Sequence, residues 1–370
     1  MASPEIVDID RLLEPVSDEH PAGNDIREDA SPSSPFYSIK DARNAARMAE
    51  RNSMFDGGSS EADDNWRKTM ELAPDIIQNH AKDLEIASWY TEALLRRYGY
   101  QGLRDGFKLI RRLIEDYWEG LYPLPDEDGV ETRVAPLTGL NGEGAEGVLI
   151  APVRNVALTE GNSVGPFNFW QYQQALDIQK ILDEEQRAER VAKIGFSVDD
   201  IDKAVAESAE SFYVDLVDDL EQCIEEYSRI SQLLDEHCGV HEAPPTSNIL
   251  GVLRDCLGAV KHIAKYKLPV ASEDAAESED NMPNDDSTAS AAPAAARGPV
   301  QTREEAFRQL SEISEFFRKT EPHSPISYVL EKAVKWGDMS LSELIRELIP
   351  DSSSREYFGS LTGVKTDEEY

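Results

Sequence analysis

Over much of residues 60–263 apolar side chains recur at helical spacing, and that period leaves packed α-helices as the main way to bury them. Leu103, Phe107, Ile110, Leu113 or Ile114, Tyr117 and Leu121 form one such stripe, and Ala87, Tyr90, Leu94 and Tyr98 form the one before it. Each stripe is one face of a helix and must find another apolar face. Gly99 stands between them, where a helix-ending glycine belongs, so the pair predicts two antiparallel helices with a tight connection. Asp83 is placed to cap the first of the two. Upstream, Trp66, Met70, Ala73 and Ile77 keep the period, with Pro74 predicting a kink or a break. A short helix near Asp8–Leu13 and another around Tyr37–Arg51 are expected as well, the second ended by "DGGSS".

Residues 122–165 are rich in proline and glycine, and "GVLIAPVRNVAL" has strand-like content, predicting loops and at most a small hairpin. A helical stretch starts again near Phe169. Residues 199–237 read as the longest clean helix, with Ile201, Val205, Phe212, Leu216, Leu220, Ile224, Tyr227 and Leu234 in phase and Gly239 ending it. Ser247 is placed to cap the helix that returns against it. Residues 269–300 hold acids, Ser, Ala and Pro without aromatics; such a segment cannot bury enough surface to offset its ordering entropy and should stay disordered. Thr302 and Glu305 then fit a capping box. Phe307, Leu310, Ile313 and Phe317 follow on one face.

The expected architecture is therefore mainly α: a helical N-terminal domain (8–155), a middle helical domain (165–268), a disordered acidic linker (269–300) and a small C-terminal helical unit (301–364). A unit that small often completes its core on a partner surface. Self-association is expected there, with Phe307, Phe316, Phe317, Trp336 and Phe358 as the candidate contact residues.

The formal net charge is −35, from 72 acidic and 37 basic residues. That disfavours nucleic acid or an anionic membrane surface as the main partner. The three cysteines are too few and too scattered for a disulfide framework, which fits a reducing cytoplasm. "MASPEIVDIDRLLEP" has neither a basic n-region nor an apolar h-region, and no apolar run approaches a membrane span. Direct membrane insertion is not expected.

Candidate chemistry is sparse. In "EPHSPISYVLEKAVKWG" Ser324 suits an N-cap and Pro325 the first helical position, whereas a His–Ser pair adjacent in sequence lacks the geometry of a nucleophile and its base. "GEGAEG" at 142–147 matches a dinucleotide fingerprint by letter only: no strand leads in, no helix opens, and Glu143 and Glu146 would repel phosphate. A flexible loop is the plainer reading. His237, Cys238, His241, Cys256 and His262 invite a zinc reading, but only Cys238 and His241 have paired spacing. No cofactor or metal is assigned. Arg96, Arg97, Arg104, Lys108, Arg111 and Arg112 form a basic run in an acidic chain. It reads either as a solvated face paired with Asp105, Glu115 and Asp116, or as a docking patch through Arg104, Lys108 and Arg111 for an acidic partner or for this chain's own acidic linker.

Several long strings are similar to one known family. "PVSDEHPAGNDIRED", "NWRKTMELA", "KDLEIASWYTEALLRRYGYQGLRDG" and "DYWEGLYPLPDEDGVETRVAPLTGLN", within residues 8–141, resemble the ImpA N-terminal domain of the TssA family of bacterial type VI secretion systems. "SAESFYVDLVDDLEQCIEEY" and "APPTSNILGVLRDCL" resemble the family's middle region. "REEAFRQLSEISEFFRKTEPHSPISYVLEKAVKWGDMSLSELIRELI" and "SREYFGSLTGV" resemble its short C-terminal form. The resemblance implies a non-enzymatic, ring-forming assembly protein that binds baseplate, tail-tube and sheath components. It also implies a cytoplasmic protein, with recruitment to the inner-membrane secretion complex as its one membrane association. The short C-terminus points to the baseplate role. Two other readings stand beside it: a monomeric helical adaptor, and a metal-binding enzyme using the His237–His262 cluster.

Overall fold

The computed structural model describes residues 3–52, 60–127, 129–239, 242–268, 303–320, 326–337, 339, 341–348 and 351. The chain is mainly α and divides into two compact units, Met1–Glu277 and Ser278–Tyr370. Among the described residues β pairing is confined to isolated bridges such as Gly23 with Ala81.

In the first unit α1 (Ile9–Leu12), α2 (Pro35–Asn52) and α3 (Ser60–Asn79) precede α4 (Leu84–Tyr117), which packs on α3 and supplies the largest share of the core. Asp83 caps α4 as expected, its Oδ1 accepting from the amides of Glu85 at 2.8 Å and Ile86 at 3.0 Å. At Gly99 φ is +59°, a left-handed value that glycine adopts without strain. The chain folds back there. A Cβ on Gly106 would stand 2.6 Å from Thr91 Oγ1, and one on Gly102 2.3 Å from the Leu94 carbonyl. In a straight helix positions 91 and 106 would be roughly 22 Å apart. The α4 segment is thus the predicted helical hairpin, and its glycines let the two arms touch.

Pro74 neither breaks nor ends α3. Proline removes one backbone hydrogen bond, but Ala73, Ile76 and Ile77 around it are fully buried, and that packing holds the helix through the gap. Residues 122–165 differ from expectation. They form α5 (Glu131–Asn141) and α6 (Ile150–Asn155), each burying a helical set: Val134, Leu137 and Leu140, then Ile150 and Val153. The β-branched content there serves helix packing rather than strands. The 142–147 loop is tight rather than flexible: Val148 N–H donates to the Gly139 carbonyl at 3.1 Å and Leu149 N–H to that of Leu140 at 3.2 Å.

α7 (Phe169–Gln179) starts at an Asn168–Gln171 capping box, followed by α8 (Glu184–Ile194). The long helix expected over 199–237 is instead two, α9 (Val198–Glu207) and α10 (Glu210–Cys238). Tertiary partners make the break. The Ser208 hydroxyl donates to the Ala204 carbonyl at 2.7 Å and accepts from Glu160 N–H at 2.9 Å, while Ala209 N–H donates to the Glu160 carboxylate at 2.7 Å. Lys267 donates to the Ser208 carbonyl. Finally α11 (Ser247–Ile263) packs on α10, α5 and α6. Ser247 does not cap it. Asn141, at the end of α5, accepts from Ile249 N–H at 3.0 Å instead. One continuous apolar core runs from Val7 to Ala264 and contains α4 and α10 side by side.

The second unit holds α12 (Arg303–Thr320), α13 (Ile326–Gly337) and α14 (Leu341–Leu348). α12 and α13 pack together through small residues: the buried Ser314 hydroxyl donates to the Ser327 carbonyl at 2.7 Å. The Phe307 ring lies against Gly337, where any side chain would collide with it. The "DGGSS" helix end, the 269–300 linker, the Thr302–Glu305 capping box and the Ser324–Pro325 helix start fall wholly or partly outside the described residues.

Candidate interaction sites

An arginine in the middle of a packed helical hairpin must bring its counter-charges with it, because an unpaired buried charge is costly. Arg104 is 4% exposed. Its Nε and Nη2 donate to Asp105 Oδ1 at 2.9 and 2.8 Å, and its Nη1 donates to Asp219 Oδ1 on α10 at 2.6 Å. The remaining donors reach the carbonyls of Ser3 at 2.7 Å and Pro4 at 3.1 Å. Asp105 Oδ2 accepts from the amides of Ile6 and Val7, and Asp219 accepts from the Ser3 hydroxyl. The cluster ties the N-terminal segment to α4 and α10.

Of the three residues expected to form a docking patch, Arg104 is thus buried and fully engaged within the chain. Lys108 and Arg111 are partly exposed but engaged within the chain: Lys108 with Glu5, Arg111 with Glu115 at 2.6 Å and with Glu226 of α10. Arg112 pairs with Asp116 and Arg96 with Glu50. Asp105 and Glu115 were legible as partners from their spacing. Asp219 and Glu226 were not, since only the fold brings α10 alongside.

A second buried cation went unnoticed in the sequence. The side chain of Lys82 is fully buried, donating to the carbonyls of Leu12 and Ile77 at 2.8 Å each. It closes the exposed carbonyl ends of α1 and α3, and burial lowers its pKa to about 8. Next to it Asp83 accepts from Arg27 at 2.6 Å as well as capping α4. Burial works against the Arg27 charge, but Asp83 and Glu85 outweigh it and raise its pKa.

The zinc candidates are dispersed. The His237 ring stacks on Trp118, centroids 4.4 Å apart. Cys256 is buried and its thiol is pushed up to about 12 by that burial. His241 lies outside the described residues. Among the described residues no three His, Cys, Asp or Glu side chains are grouped to hold a metal ion. His323 and Ser324 also lie outside them. No helix among the described residues is long and apolar enough to cross a membrane.

In the second unit, Ile345 is the only fully buried apolar side chain among those described. Large apolar groups face outward instead: Ile313 on α12, Tyr328 and Val329 on α13 (61% and 59% exposed) and Leu348 on α14. Of the five residues expected to mediate self-association, Phe307 packs on Gly337 within the unit, under Arg303. Trp336 is half-buried beneath Lys332, and Phe316 and Phe317 meet edge to face. Phe358 lies outside the described residues.

Residues 13–142, the hairpin and the elements packed on it, match the family described as ImpA, N-terminal, type VI secretion system. Over its whole length the chain is similar to the type VI secretion system component TssA1 of Pseudomonas aeruginosa, 28% identical across 98% of this chain and all of that protein. The chain thus carries an ImpA N-terminal region and is similar along its length to a TssA component. The solved N-terminal domain of the TssA component from Burkholderia cenocepacia, including its conserved ImpA_N region, has a similar fold. That likeness has a TM-score of 0.58 at 24% identity and covers 70% of this chain and 94% of that one. The second unit falls within the full-length match to the Pseudomonas protein.

Proposed function

We propose that this chain serves a type VI secretion system as a non-enzymatic scaffold that assembles with copies of itself through its C-terminal helices. The observation that carries this is the inverted packing of the second unit. Its helices meet through Ser314 and Ser327, while Ile313, Tyr328, Val329 and Leu348 stay outside. Burying one such side chain stabilises by about 1.5–3 kcal/mol. Helices that leave these described apolar groups outside gain stability by covering that face with another copy. Residues 269–300 then tether this assembly unit (301–364) to the segments 8–155 and 165–268, which carry the surfaces for other components. In the finer reading those components are baseplate, tail-tube and sheath proteins, following the short C-terminal form, and the protein works in the cytoplasm.

The test is solution mass by light scattering on size-exclusion chromatography, for the full chain, residues 1–270, and Val329→Asp in the full chain. The full chain should run at many times 41.3 kDa, and both altered forms should fall to monomer or dimer. A monomeric full chain across a concentration series would leave the helical adaptor as the better reading.

A further inference from the structure

One cluster of charge is only partly used by the fold. Arg43, Arg47 and Arg51 stand on successive turns of α2, and Arg96 of α4 faces them. Like charges at this spacing destabilise a helix. Two of the four are neutralised and fixed. Arg43 pairs with buried Glu92 at 2.6 Å and lies over the Trp89 ring; Arg96 pairs with Glu50 and lies over the Trp66 ring at 4.1 Å. Arg47 and Arg51 make no ion pair with a described residue. The helix C-terminus favours Arg51 in the last turn, but Arg47 sits a full turn earlier and half-buried. Burial lowers its pKa, Glu92 works against that, and the guanidiniums of Arg43, Arg96 and Arg51 push it further down. Arg47 is thus half-buried beside Arg51, with the nearby carboxylates of Glu92 and Glu50 already paired to Arg43 and Arg96, which leaves this edge of the cluster with positive charge to spare.

Arg47, Arg51 and Arg96, with Glu50, line a cavity of about 760 Å³ between α2, the bend of the α4 hairpin, the 142–147 loop and α6. Its opposite wall is aliphatic: Leu95, Val148, Ala151, Pro152 and Val156. Glu146 at the rim is engaged by Arg154 at 2.9 Å. A nucleic acid would meet the chain's −35 charge beyond the cavity mouth, and a bare phosphate would leave the aliphatic wall uncovered. The geometry points to a docking site for a short acidic–apolar peptide segment of another protein, its carboxylate on Arg47 and Arg51 and its aliphatic side chain against Ala151 and Pro152. The site lies in the first unit, so its test is independent of self-assembly through the second.

The probe is a dye-labelled, end-blocked hexapeptide alternating Leu and Glu, titrated with the full-length chain by fluorescence anisotropy, with a Leu/Lys hexapeptide and inorganic phosphate as comparisons. The expected result is saturable binding of the Leu/Glu peptide that weakens with salt, and binding of the Leu/Lys peptide about tenfold weaker or more. Arg47→Glu should weaken the Leu/Glu peptide about tenfold. Ala151→Trp, which fills the apolar wall and leaves every charge in place, should do the same with an unchanged unfolding midpoint. The proposal is overturned by any of three results: no binding up to millimolar chain, equal binding of both peptides, or affinity unmoved by either substitution. Displacement by equimolar phosphate, with Ala151→Trp silent, would make this a small-anion site and overturn it also.

Discussion

Asp219 shows how much one carboxylate on α10 organises. It accepts from Arg104 and from both the amide and the hydroxyl of Ser3, so it neutralises a buried guanidinium and pins the chain's start. Asp219→Ala leaves that guanidinium short of a counter-charge and should cost about 3–5 kcal/mol, read as a fall in the urea midpoint. Asp219→Asn keeps an acceptor and should cost clearly less. Lys82 makes a pH-dependent contribution. Its pKa is lowered from 10.5 to about 8 in the folded chain. Below about pH 8 it is protonated whether folded or not, and the penalty of burying its charge is fully present. Between 8 and 10.5 the unfolded chain holds the extra proton, so this group makes stability rise with pH across that window. Lys82→Met should remove that part of the rise, measurable as the difference between the two proteins' unfolding free energies at the window's ends. An equal slope in both would show that Lys82 keeps an ordinary pKa.

At the scale of elements, helix ends are completed by groups from elsewhere in the chain. The first turn of α11 depends on Asn141, whose side chain accepts from Ile249 N–H while its carbonyl accepts from Asn248. Asn141→Ala should therefore cost about 0.5–2 kcal/mol, the range of a lost cap. It should also speed hydrogen exchange at the Ile249 amide, whereas Ser247→Ala should stay within about 0.5 kcal/mol of the parent. If the two behave alike, the cap is local after all. The Ser208 break follows the same logic. Glu160 and Lys267 take over backbone groups that would otherwise continue the helix. By contrast Asp83 and Gly99 act on their own neighbours, and both were readable before any packing was known.

For the whole molecule, the two units should respond differently to concentration. The first has a continuous core and should unfold at a temperature independent of chain concentration. If the second is completed by other copies, mass action stabilises it, and its transition should rise as the chain is concentrated. Calorimetry over a wide concentration range checks this; a fixed second transition would count against self-assembly. The chain's net charge of −35 repels unrelated anions, which makes the arginine-lined cavity in the first unit stand out all the more. Its signal is present in "DARNAARMAER" as a cation on every fourth residue, sparser than the basic run at 96–112. Density proved a poor guide, since most of that run pairs internally.

The mainly α class, the hairpin reversal at Gly99 and the cap at Asp83 are legible in the residues alone, because period and cap chemistry act over one or two helical turns. Tertiary structure decided which charges are buried, where the long acidic helix breaks and what caps α11. Those outcomes rest on partners such as Asp219, 115 residues from Arg104, and Asn141, 108 residues from Ile249. No local pattern encodes such a distance. The penalty for leaving a buried polar group unpaired selects those partners only once packing has brought the helices together.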